Sequence, residues 1–294
     1  MIKKELLDIL CCPRCRSDVK VLPDEPVLVC TDGHRFPIHD SVPILNRECE
    51  SSSYNNLYRQ IDFTDSPFGY KKEYAEWRKG QINRKVVAYL QPGSVLDNGG
   101  GYGYLKEFID PAQNIYYNVD CSYEILQYDT SAFRCVGEGE SLPFKDEVFD
   151  NVVSGDVLEH VQDKVAYIAE SYRVLKPKGI FILNTPREGW VEDLKHSGWF
   201  GLFLIEKLNF KLKRIFKPKK NKSIISVPNG VVDIPSEETW LREQLENQNF
   251  EILVQTRTDN HPLSLTNRFW RTLADWFLNA EKYGHCVFFA CRKN

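Results

Sequence analysis

No apolar run in this sequence approaches the roughly 20 residues that a membrane-spanning helix needs. The opening Met1-Ile2-Lys3-Lys4 meets Glu5 and Asp8 instead of the apolar stretch of a signal peptide, so a cytoplasmic protein is expected. Positive charge in excess is also lacking: 38 Lys and Arg against 41 Asp and Glu leave a formal net charge of −3. No global field then draws the chain to nucleic acid or to an anionic membrane, and only a local patch can do so. In a reducing compartment disulfides have no place, so the nine cysteines read as ligands and buried thiols. With 42% hydrophobic residues over 294 positions, the chain can bury one large core and carry a small second module.

Residues 1–48 form a block of their own. A short amphipathic helix (Leu6, Leu7, Ile9, Leu10) runs into Cys11-Cys12-Pro13-Arg14-Cys15, and Cys30-Thr31-Asp32-Gly33-His34 follows between the β-like runs Val27–Val29 and Phe36–Ile38. Cys12, Cys15, Cys30 and His34 supply four soft or borderline ligands on two tight turns, which suits a closed tetrahedral Zn2+ site. The block is too poor in apolar residues to fold firmly alone, and a structural zinc would supply what its core lacks. The bland alternative is a thiol pair beside a surface histidine. Cys11 is the spare, because only Cys12 gives the two-residue spacer to Cys15. Through these cysteines and Phe36-Pro37-Ile38-x-Asp40-x-Val42-Pro43-Ile44-Leu45, the block resembles small zinc-ribbon-like modules found beside or inside methyltransferases. Its Cys-Cys-Cys-His set is also similar to the N-terminal site of bacterial rRNA guanine methyltransferases.

Arg47 to Gly69 is polar and reads as a linker, and Lys71 to Leu90 has helical spacing up to Pro92-Gly93. On that helix Tyr74 and Trp77 either touch a ligand or pack into the core. Ser94-Val95-Leu96-Asp97-Asn98-Gly99-Gly100-Gly101-Tyr102-Gly103 then reads as a buried strand, a tight glycine turn and the start of a helix over 104–109. Alone, such a turn fits any nucleotide loop. The next strand, Ile115–Asp120, ends in an acid about twenty residues beyond the glycines, where a carboxylate can accept both ribose hydroxyls of an adenosine. Glu138 follows the third strand (from Arg134), placed to accept from an adenine amino group. Strands at Phe149–Asp156 and Ile180–Leu183 flank a helix over Lys164–Leu175, and a strand at Phe250–Thr256 and another at Cys286–Ala290 close the series. Alternating strands and helices predict an α/β fold: a doubly wound, mostly parallel, seven-stranded Rossmann-like sheet with its ligand at the strands' carboxyl ends.

The ordered set Asp97-x-Gly99-x-Gly101-x-Gly103, Asp120, Leu142-Pro143-Phe144, Phe149-Asp150, Leu158-Glu159-His160-Val161 and Arg173-Val174-Leu175-Lys176-Pro177-x-Gly179 resembles the class I S-adenosylmethionine-dependent methyltransferases. The likeness is greatest to the subgroup acting on small molecules, quinones and lipids. The resemblance implies that Asp97, Gly99 and Gly101 hold the methionyl end of S-adenosyl-L-methionine, Asp120 its ribose, and Glu138 with Gly139 its adenine; Cys121 and Ser154 complete the candidate cofactor set. Asn98 departs from the apolar or small residue usual after the acid, a change expected to be tolerated. The expected organisation is a zinc-ribbon-like module over 1–48, a linker and helix over 49–92, and a methyltransferase domain over 93–294 with insertions at about 190–230 and 261–283.

Methyl transfer is an in-line displacement that needs positioning more than a protein nucleophile. If the acceptor is a hydroxyl, His160 at the top of the fourth strand is the candidate base, its alternative being a packing role. Asp156, Glu159 and His160 at i, i+3 and i+4 would share a helical face and could bind Mg2+, resembling the Glu-x-x-Glu-His site of ubiquinone-pathway and small-RNA methyltransferases, with Asp156 in place of the first Glu. His261 and His285 are further base candidates. Ser236 is expected to cap a helix running to Gln248. The stretch 199–222 sets Trp199, Phe200, Phe203 and Leu204 at helical spacing against lysines from Lys207 to Lys222, which suits peripheral membrane contact, phosphate contact or a lid. The acceptor is therefore expected to be small or lipid-like. An RNA methyltransferase using the zinc module, or a zinc module docking a partner protein, are the alternatives.

Overall fold

The computed structural model describes residues 2–46, 72–189, 193, 234–258 and 284–294. The linker, both insertions apart from Asp193, the basic stretch 199–222 and His261 lie outside the described residues, as do the side chains of Tyr74 and Trp77. Among the described residues, no helix is long and apolar enough to cross a membrane.

The N-terminal block is a short helix, α1 (Lys4–Leu7), and an antiparallel sheet of β1 (Val19–Val21), β2 (Val27–Cys30), β3 (Arg35–His39) and β4 (Val42–Pro43). After α2 (Lys72–Val87) the main domain contributes β5 (Gly93–Asn98), β6 (Asn114–Asp120), α3 (Tyr123–Leu126), β7 (Arg134–Val136), β8 (Phe149–Gly155), α4 (Lys164–Val174), β9 (Leu175–Pro186), α5 (Glu238–Asn247), β10 (Phe250–Thr258) and β11 (Cys286–Lys293). Its seven strands run in the order β10-β11-β9-β8-β5-β6-β7. The β5–β9 pairings are parallel, whereas β11 is antiparallel to both β9 and β10. From β5 the chain winds outward to β6 and β7, then returns to β8 on β5's other side. That reversal is the topological switch point, where an open α/β sheet leaves a crevice at its carboxyl edge.

Apolar residues cover both sheet faces, as buried parallel strands require. On one face Val86, Leu105 and Ile109 pack with Val95, Tyr116, Val153, Ile182 and Phe288. On the other, Leu96, Val119, Val152, Phe181 and Phe289 pack with Tyr167 and Ile168 of α4 and Leu241 and Leu245 of α5. Leu6, Leu10, Leu28, Phe36 and Leu45 of the N-terminal block belong to this second cluster. Each is at most 1% exposed, and burying such a side chain stabilises by about 1.5–3 kcal/mol. The block's missing core is therefore supplied in part by the neighbouring domain.

Backbone pairing fastens the same junction. Leu10 bridges Phe144 antiparallel, with Cys11 N–H donating to the Pro143 carbonyl at 3.0 Å and Lys145 N–H to that of Ile9 at 2.9 Å. Ile44 bridges Val136 in parallel, and Leu45 N–H donates to the Val136 carbonyl at 2.8 Å. The end of the block thereby covers the open edge of β7, which would otherwise expose unpaired backbone groups. Arg16 completes the seam with 2.7 Å to the Leu142 carbonyl and 2.9 Å to Glu170.

Several local expectations are corrected. The segment after the glycine turn is a five-residue 3-10 turn (Tyr104–Phe108), cut short between left-handed Gly103 and Pro111. β9 starts at Leu175 because Lys176–Gly179 loops out: Phe149 pairs with Leu175, but Asn151 already pairs with Ile180. β8 ends at Gly155, leaving Asp156 beyond it with a positive φ of 56°. Glu237, with no side-chain capping bond, precedes α5; Ser236 instead bridges Arg187 and accepts from Lys164 Nζ at 2.8 Å.

Candidate functional site

The glycine turn sits at the switch point, directly after β5. Gly99 has a φ of +85°, and a Cβ there would lie 2.5 Å from a Val157 methyl, so both conformation and space demand glycine. Gly101, at +55°, donates its N–H to Asp120 Oδ2 at 3.0 Å, and Ser122 N–H donates to Oδ1 at 2.9 Å. Asp97 lies beneath the turn and accepts from the Tyr116 hydroxyl at 2.8 Å. Asn118 ties the floor together through Nδ2, 3.0 Å from the Gly101 carbonyl and 2.9 Å from Asp129.

Two buried acids, with no ion-pair partner among the described residues, define the electrostatics. Burial pushes Asp97 up to about 7, with the Asp129 and Asp120 charges adding to the rise and the Tyr116 hydrogen bond opposing it. Asp120 is pushed up to about 6 by burial, against the Ser122 and Gly101 N–H groups. Carboxyls in this condition favour a cationic guest, which would draw both pKa values back down.

Glu138, Gly139 and Cys121 are half-buried around the ends of β6 and β7. Gly139 lies against the Tyr167 ring, where an added Cβ would come within 2.3 Å of Cε2. Ser154 is fully buried, its hydroxyl 2.8 Å from that of Tyr167, which donates to the Asn98 carbonyl at 2.9 Å. Asn98 itself is buried, with its amide 3.5 Å from the Ser171 hydroxyl, so a polar residue fits after the acid.

The acids at the top of β8 do not assemble as a helical metal face. Asp156 accepts from the Asn184 amide at 3.2 Å, whereas Glu159 is buried and accepts from the Thr185 hydroxyl at 3.0 Å. Left-handed Asp156 and the 3-10 turn Leu158–His160 break the i, i+3, i+4 geometry, and nothing found supports Mg2+. His160 Nε2 lies 3.9 Å from Glu159 Oε1, with its side chain about one-third (32%) exposed. His285 lies at the carboxyl end of β9, its carbonyl accepting from Arg187 N–H at 3.0 Å, and no contact between it and His160 brings the two base candidates together among the described residues.

Cys12, Cys15, Cys30 and His34 do converge: their ligand atoms lie within 4.8 Å of one another, and among the described residues they form the one such group. Cys15 and Cys30 sulfurs are 3.7 Å apart, and His34 Nδ1 is 3.5 Å from Cys12 Sγ and 3.3 Å from Cys30 Sγ. A zinc tetrahedron with bonds of about 2.3 Å to sulfur and 2.0 Å to nitrogen has edges of about 3.5–3.8 Å, so the set fits Zn2+. Burial raises the Cys12 thiol to about 11; Cys30 moves down despite its burial, through donors that begin with the His34 N–H.

Tyr116, Asn118, Asp129 and Tyr167 were not singled out in the sequence. A signal existed for two of them: Tyr116, Asn118 and Asp120 alternate on β6, placing polar atoms on one face of a strand that is otherwise apolar.

A doubly wound seven-stranded sheet with this turn at its switch point is the architecture of the S-adenosylmethionine-dependent methyltransferases. Residues 96–183 match the family described as a methyltransferase domain, and residues 3–41 match the Trm112p-like protein family. The chain therefore carries a methyltransferase domain preceded by a Trm112p-like module. It is 29% identical over 143 residues to a malonyl-[acyl-carrier protein] O-methyltransferase of Marinomonas, covering 44% of this chain and 52% of that one. It is 25% identical over 203 residues to a ubiquinone biosynthesis O-methyltransferase of Bartonella quintana, covering 59% and 78%. The chain thus spans about half the length of the Marinomonas relative. Two solved structures share the fold at a TM-score of 0.50. One is the complex between the Haloferax volcanii Trm112 methyltransferase activator and a methyltransferase (17% identical, covering 74% of this chain and 88% of that one). The other is an S-adenosylmethionine-dependent methyltransferase from Thermotoga maritima (18% identical, covering 82% and 99%).

Proposed function

We propose that this protein transfers a methyl group from S-adenosyl-L-methionine to a small-molecule or lipid-like acceptor. The observation that carries the reading is the glycine turn closed over two buried acids at the switch point. Asp97, Gly99 and Gly101 would hold the methionyl end, Asp120 the ribose, and Glu138, Gly139 and Cys121 the adenine side; Ser154 fixes the wall through Tyr167. When bound, the cofactor supplies an electrophilic methyl group on a cationic sulfur. The protein's part is to orient acceptor and donor in line and to keep water out. For a hydroxyl acceptor, His160 would take the proton, with Glu159 held by Thr185 as its positioning residue. Two of the relatives are named as O-methyltransferases with acyl-carrier and quinone acceptors and another as a quinone-pathway C-methyltransferase, so the acceptor class has more support than the methylated atom.

The Trm112p-like module would act in cis. Its zinc turn carries Arg16 to Glu170, and its last strand closes the β7 edge, so that face is occupied by the chain's own domain. This disfavours the module as a docking site for another protein through the same face. The RNA reading rests on the lysines of 207–222, outside the described residues. Titration calorimetry with S-adenosylhomocysteine tests the cofactor reading: wild type binds and Asp120→Ala loses at least about a hundredfold in affinity, as expected when a charged hydrogen-bond partner is removed. Equal affinity would refute it.

A further inference from the structure

The parallel bridge between Ile44 and Val136 gives the end of the N-terminal module the same direction as β5 to β8. Its next residues are therefore delivered to the carboxyl edge of the sheet, where the cofactor residues stand. Asn46 stands two residues beyond that bridge on one segment, as Glu138 does on the other. It is 7% exposed, and its amide Nδ2 is 3.5 Å from the carbonyl of Cys121, the residue after Asp120. Its carboxamide oxygen is buried and has no hydrogen-bond partner among the described residues. Native structures leave few such atoms, and one at a ligand site calls for a donor that the protein alone does not supply. The bond to Cys121 also fixes which way the amide points, since the opposite orientation would set two carbonyl oxygens against each other.

We infer that Asn46 is a cofactor-binding residue contributed by the N-terminal module, its Oδ1 accepting from the exocyclic amino group of the adenine. This rests on the proposed cofactor reading. Adenine's amino group has two N–H donors, and Glu138 and Asn46, each two residues beyond the Ile44–Val136 bridge, offer two acceptors at the sheet edge. The module then recognises the cofactor as well as stabilising the fold.

S-adenosylhomocysteine and S-inosylhomocysteine, which carries a carbonyl in place of the amino group, separate this role from a structural one. Calorimetry should show that Asn46→Leu, close to isosteric, weakens S-adenosylhomocysteine about tenfold. S-inosylhomocysteine should be almost unaffected, so discrimination between the two ligands narrows. Asn46→Ala, which inserts no branched carbon, must give the same narrowing should Asn46→Leu fold poorly, and Asn46→Asp, which keeps an acceptor, must retain discrimination. An equal loss for both ligands, or no loss, overturns the role of Asn46 while Asp120→Ala still abolishes binding. Wild-type affinity in Asp120→Ala would overturn the cofactor reading and this inference together.

Discussion

The Cys12–Cys15 turn and the Asp97–Gly103 turn both gather anionic groups, yet they manage the desolvation of those groups in opposite ways. The first brings four ligand atoms within 4.8 Å, a closed set that one divalent ion satisfies completely. The second places two carboxyls under a glycine arch, each raised by burial, with the Lys79 charge too weak an influence to offset the rise of Asp97. A closed site serves folding, because ligand exchange would open it; a half-satisfied site serves binding, because a guest finishes it. The seam between them is continuous core, so damage to the first turn should reach the second.

Stripping zinc with a chelator, or making Cys30→Ser, should have the largest effect. Because Leu28, Phe36 and Leu45 share the main cluster, the loss should be on the order of 5 kcal/mol and should lower the melting temperature of the whole chain. A melt that leaves the main transition unmoved would mean that the two turns are energetically separate. Next, Gly99→Ala combines a left-handed backbone with an overlap at Val157, and should cost about 2–4 kcal/mol while removing S-adenosylhomocysteine binding. Chemical denaturation and calorimetry read the two effects separately.

Asp97→Asn should act in the other direction on the empty protein. Asp97 and Asp120 have folded pKa values above the 3.8 of the unfolded chain, so their contribution to stability is full below that value and is lost as pH rises through about 6 and 7. Removing the Asp97 charge should therefore stabilise the unliganded protein by about 1–3 kcal/mol at pH 8, with no gain at pH 4, while weakening the cofactor. Denaturation at the two pH values checks the sign. The smallest effect belongs to Arg16→Ala. Glu170 keeps two bonds from Arg173 and one from Leu142 N–H, so about 1 kcal/mol should be lost.

The sheet, its order of elements and the convergence of Cys12, Cys15, Cys30 and His34 were legible because each rests on local pattern: buried strands, glycines after an acid, and paired cysteine turns. Asp156, Glu159 and His160 misled because their spacing promises a shared face only on an α-helix, and left-handed Asp156 removes that premise. Ser236 looked like a cap, but tertiary pairing with Arg187 and Lys164 claimed it. The joining of module and domain was invisible, since Leu10 with Phe144 and Ile44 with Val136 are contacts between segments about a hundred residues apart in sequence. Asn46 escaped for the same reason: its meaning comes from the strand it is paired to.

Proton release on cofactor binding tests most directly the claim that the cofactor completes the two buried acids, its cationic end at Asp97 and its ribose at Asp120. Calorimetry of S-adenosylmethionine at pH 6.5, repeated in buffers of different ionisation enthalpy, should show release of up to about one proton, shrinking towards zero at pH 9 and in Asp97→Asn. Tight binding with no proton released at pH 6.5 would contradict it.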